Sequence, residues 1–142
     1  MSRTRVSIVI CFTALLLGAT CHRQYVPALL DQPVTLRHGQ WASFSRRPLQ
    51  IAFLAIAQDS RCPKNVQCAQ AGDAVVLFQA KSAESGFGSF MARLPGGAPT
   101  DSIPWATWGS YRLRLLSLEP YPEAGVVVDS SAFVATFIVE KS

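Results

Sequence analysis

Histidine is scarce in this chain: His22 and His38 are the two present among 142 residues. Nucleophilic hydrolysis needs a Ser or Cys held beside a base. One histidine falls in a segment that reads as a tether and the other at the end of the first expected strand, so no such pair is visible. Charge is thin as well, at 15% of residues, and no run of like charge goes beyond Arg46 and Arg47. A nucleic-acid binder would concentrate its basic residues on one face, so nucleic acid is excluded as a partner. "PGGAP" (95–99) has neither the lysine nor the following helix of a phosphate-binding loop. No Asp or Glu pair sits in a setting that suggests glycoside hydrolysis. These gaps argue against an enzyme, and neither cofactor nor metal is expected. Internal repeats are missing, as is any sustained 3.6-residue apolar period beyond residue 20.

What is present begins with a leader. "MSRTR" supplies Arg3 and Arg5, "VSIVICFTALLL" is a twelve-residue apolar run from Val6 to Leu17, and "GATC" ends it with small residues. Basic start, short apolar centre and small-residue end predict a secretory signal peptide over residues 1–20. The run falls short of the roughly 20 apolar residues a membrane-spanning helix needs. The stretch ending at Cys21 resembles the lipobox of bacterial lipoproteins, in which the cysteine is acylated and becomes the mature N-terminus. That resemblance implies lipidation at Cys21 and a membrane anchor, with the protein exported to the bacterial envelope and held at the outer membrane facing the periplasm. Cleavage without lipidation, for example after Ala19, is the competing outcome. Gly18 stands where the lipobox usually has leucine. Without Arg3 and Arg5, eleven Lys and Arg remain of thirteen against nine Asp and Glu, a net charge near +2.

Cys11 lies in the leader and Cys21 at its end, which leaves Cys62 and Cys68 of the four cysteines. An even pair in an oxidising compartment reads as a disulfide. Zinc would want four ligands, and neither histidine is near the pair in sequence. A redox site would usually show C-x-x-C.

After a tether over residues 21–32, the domain at 33–142 reads as short strands divided by Gly, Pro, Ser and Asp. "PVTLRH" alternates Val34 and Leu36 with polar neighbours, and "QWASFS" suggests Trp41 and Phe44 inward. "LQIAFLAIAQ" alternates Leu49, Ile51, Phe53 and Ala55, while "DAVVLFQAK" is apolar on both faces, as a central strand is. "GFGSFMARL" offers Phe87, Phe90 and Met91. "YRLRLLSL" sets Tyr111, Leu113 and Leu115 against Arg112 and Arg114, and "AFVATFIVE" carries Phe133 and Phe137. About seven such runs predict an all-β fold, a single antiparallel β-sandwich of immunoglobulin-like type.

"DSRCPKNVQCAQAGDA" (59–74) joins the third of these runs to the fourth. Asp59 and Ser60 suit a turn, Pro63 fixes its own φ and biases Cys62 towards extended backbone, and Gly72 suits a positive φ before the next strand. Asp59 and Arg61 could be an acid and its partner, but the favoured reading is turn chemistry with a local ion pair. "DSRCP", a cysteine after four further residues, "AG" two residues on, and "LLSLEPYP" at 115–122 together resemble a β-domain of uncharacterised function in bacterial secreted proteins and lipoproteins. The similarity covers roughly residues 33–140. It implies an exported β-domain and transfers no catalytic residue. Gln70 stands where that family often has tryptophan.

The candidate binding loop is "LPGGAPTDSIPWATWGSY" (94–111), a long connection holding Ile103, Trp105 and Trp108. Exposed rings on such a loop serve as anchors for sugars or proteins, and rings folded back would plug an open end of the sandwich. The plug is favoured, because a connection this long needs something to hold it. The expected function is a non-catalytic envelope lipoprotein module that binds a protein or glycan partner or supports an assembly. The alternative is a small periplasmic hydrolase or an enzyme inhibitor.

Overall fold

Alternation along the strands sorts side chains into an inner and an outer set. In β2 (Val34–Arg37), Val34 and Leu36 are buried while Thr35 and Arg37 face solvent. In β8 (Tyr111–Glu119), Tyr111, Leu113 and Leu115 turn inward between Arg112 and Arg114. The same period-two pattern runs through β5 (Asp73–Ser82) and β9 (Val134–Lys141), and it buries one face of each strand against a second layer. The computed structural model describes residues 25–142. Cys11, Cys21, His22 and the whole expected leader lie outside the described residues.

The remaining strands are β1 (Tyr25–Ala28), β3 (Trp41–Phe44), β4 (Leu49–Asp59), β6 (Gly86–Pro95) and β7 (Ala106–Trp108). They form two sheets, β1-β3-β4-β5-β6 and β2-β9-β8-β7. All strand pairs are antiparallel except β1 with β3, which is parallel. The all-β sandwich is therefore as expected, with nine strands where about seven were predicted. The additions are β1, from the tether, and β7, from the long connection. β1 contains Pro27, which lacks a backbone donor and is tolerated because β1 is an edge strand. Strands β3 to β6 follow one another as a meander within one sheet. An immunoglobulin domain instead distributes successive strands between its two sheets.

Aromatic rings fill the space between the sheets. Phe78 of β5 meets Phe137 of the opposite sheet edge-to-face at 5.1 Å, with Phe53 at 6.1 Å and Phe90 stacked at 5.8 Å. Two details depart from the expected inward set. Trp41 faces outward, because a strand cannot put residues three apart on one face, and Ala42 and Phe44 take the inner positions. Ala55 also faces outward. The register shifts between Phe53 and Ala55, leaving Leu54 as the extra residue of a bulge, and Ile56 points to the core instead.

Candidate functional site

The connection from β4 to β5 is a closed corner. Ser60 N–H donates to Asp73 O at 2.7 Å and Cys62 N–H to Ala71 O at 2.8 Å, extending the ladder past the strand ends. Cys62 and Cys68 are joined by a disulfide, with Cα atoms 5.9 Å apart. Gly72 has φ +66°, and a Cβ there would lie 1.8 Å from the Ser60 carbonyl oxygen. Only glycine permits both that conformation and that approach.

Arg61 is the centre of this corner, its side chain only 2% exposed. Its Nε donates to Asp59 Oδ1 at 2.8 Å and its Nη2 to Asp59 Oδ2 at 2.6 Å, a two-pronged carboxylate pair. Nη1 donates to the Leu118 carbonyl at 2.7 Å, and the guanidinium lies 4.8 Å from the centre of the Tyr121 ring. The "DSRCP" and "LEPYP" stretches, far apart in sequence, are thus clasped together by one arginine. With its donors directed at the domain's own carboxylate and carbonyls, Arg61 acts as a clamp. The acid-and-partner reading of Asp59 and Arg61 gains no substrate-facing geometry here. A cavity of about 180 Å³ beside it is lined by Leu94, Ile103, Leu118 and Tyr121 among others.

The long connection folds back on the domain. Ile103 is 3% exposed and belongs to the core, and Trp108 is half-buried against it. The indole Nε1 of Trp108 packs over Gly88, where a Cβ would come within 2.8 Å. Trp105 is half-buried too, its ring 4.6 Å from the Arg112 guanidinium and 4.2 Å from that of Arg114. Arg112 is itself bonded to Glu140. Ile103 and Trp108 thus pack on the core, while Trp105 stays half-exposed beside the two arginines. His38 meets Phe53 edge-on at 5.6 Å, and among the described residues no three His, Cys, Asp or Glu side chains gather as a metal site.

A different surface offers what the loop does not. The outer face of the five-stranded sheet carries two adjacent rows across its strands. One row runs Tyr25, Trp41, Ala52, Gln79 and Ser89, and the next Pro27, Ser43, Gln50, Lys81 and Phe87. The small side chain of Ser43 leaves a depression between taller neighbours, while Ala52 is covered. Tyr25 and Trp41 stand edge-to-face at one end, 6.5 Å apart, and Phe87 stands at the other. Together with Gln50, Gln79 and Lys81 they line an open depression, a trough of about 470 Å³. A second depression of about 300 Å³ shares Gln50 and Lys81 and continues to Arg47. Phe87 is 63% exposed, far more than a packing role requires. No residue of this trough was singled out from sequence as a site. The available signal was an aromatic ring at Trp41 and at Phe87, each on the face that alternation assigns to solvent. No protein-family model matches the chain, and no match was found among curated proteins or solved structures.

Proposed function

We propose that the protein is a non-catalytic module of the bacterial cell envelope, anchored through an acylated Cys21, that binds a ligand in the trough on the outer face of its five-stranded sheet. The observation that carries this reading is the trough itself: three aromatic side chains, two carboxamides and a lysine converge on one concave face. Tyr25 and Phe87 are 39% and 63% exposed, and concave surfaces with apolar walls and a few polar groups are where ligands dock. The leader and the stapled corner support export. Arg61 is engaged by the domain's own groups and Ile103 lies in its core, whereas the trough presents exposed rings beside polar groups.

Capture from the envelope tests the reading. Purified protein, immobilised, should retain envelope material whose recovery falls sharply with Phe87→Ala. That substitution removes an exposed ring, so its denaturant midpoint should stay within about 0.5 kcal/mol of wild type. Equal recovery by Phe87→Ala and wild type would overturn the trough as the binding site.

A further inference from the structure

Resting on that reading of the trough, we infer that its ligand is an acidic oligosaccharide, several sugar units long, lying across the strands. The length follows from the spacing of the walls. Tyr25 on β1 and Phe87 on β6 are separated by four strand intervals, about 19 Å, more than one sugar ring spans. A sugar presents an apolar C–H face that covers an aromatic ring while its hydroxyls project sideways. Tyr25 at one end and Phe87 at the other, both exposed, provide two such platforms. Between them, Gln50 and Gln79 each offer an amide donor and a carbonyl acceptor, the combination that satisfies a hydroxyl as both acceptor and donor.

The charge follows from what lines the two depressions. Lys81 faces both, and Arg47 lines the second, while no Asp or Glu lines either. The ion pairs of the described residues involve Arg61, Arg93, Arg112 and Lys141, so Lys81 and Arg47 are left without a carboxylate. Two unneutralised cations over a trough of amides and rings complement a ligand bearing anionic groups. A folded protein partner fits less well. It would want roughly 800 Å² of continuous surface with an apolar centre, whereas amides and a lysine occupy the middle of this trough.

The test is affinity electrophoresis of the purified protein through gels containing polygalacturonate, neutral galactan or dextran sulfate. Wild type should be retarded by polygalacturonate more than by galactan. Lys81→Gln should weaken the acidic interaction by about fivefold, the upper range for an exposed charge pair, and leave that with galactan unchanged. Phe87→Ala should weaken both by about tenfold, the upper range for one aromatic contact. Equal retardation by galactan and polygalacturonate, indifferent to Lys81→Gln, would overturn the acidic ligand but spare the trough. Retardation by dextran sulfate alone, insensitive to Phe87→Ala, would reduce the effect to ion exchange and overturn the inference. If no polysaccharide retards the protein, the inference fails. A protein captured from the envelope in a Phe87-dependent way would then preserve the proposed function without it.

Discussion

Arg61 shows how one residue can be half legible. The sequence places Asp59, Arg61 and Pro63 in a turn and suggests an ion pair, and the pair is there. It does not reveal that the guanidinium is buried, because the group that completes its burial is the Leu118 carbonyl, 57 residues away. A buried charge is costly unless paired and bonded, and removing one partner strands the other. Arg61→Met should therefore cost about 3–5 kcal/mol, since the Asp59 side chain is only 17% exposed and would lose its counter-charge. The comparison is Arg112→Met, which breaks a pair with Glu140 in which the arginine is 43% exposed. That loss should stay near 1 kcal/mol or below. Urea midpoints of the two variants measure the difference, and equal costs would deny Arg61 its clamping role.

Elements long enough to alternate were legible, and those that depend on distant pairing were not. Seven strands carry their inner face in their own pattern, as Val34 and Leu36 do in β2. β1 and β7 are four and three residues long, too short for a period to register, and they exist by pairing with β3 and β8. Trp41, expected inward, faces outward because Ala42 and Phe44, two residues apart, take the inner positions of β3. The stapled connection was legible from cysteine spacing and turn residues alone, since its closure is local. Its staple spans a separation of six residues. Closing so short a loop restricts the unfolded chain by about 2 kcal/mol on the chain-entropy account. Replacing both Cys62 and Cys68 with alanine should lower the thermal midpoint while far-ultraviolet circular dichroism stays that of a β-sandwich. A midpoint unchanged by the double substitution would show that the ladder bonds and the Arg61 clamp hold the corner without it.

The trough exists only at the scale of the whole molecule. Tyr25, Trp41, Gln50, Lys81 and Phe87 come from five strands, so no single strand contains two of them. Register brings them into two rows, and register is fixed by inward packing that says nothing about the outer face. The proposed anchoring through Cys21 belongs to the same scale. Wild-type protein expressed in a bacterial host should enter the detergent phase on partitioning, and Cys21→Ser should leave it in the aqueous phase. Wild type found wholly in the aqueous phase would reject acylation. The parallel pairing of β1 with β3 then acquires a mechanical meaning. The chain reaches the domain through β1, an edge strand of four residues bound on one side only. Tension applied ahead of Tyr25 is borne first by that short seam. If it parted, Tyr25 would leave Trp41 while the Phe78–Phe137 packing stayed closed, so a pull on the tether would open one wall of the trough before it disturbed the core.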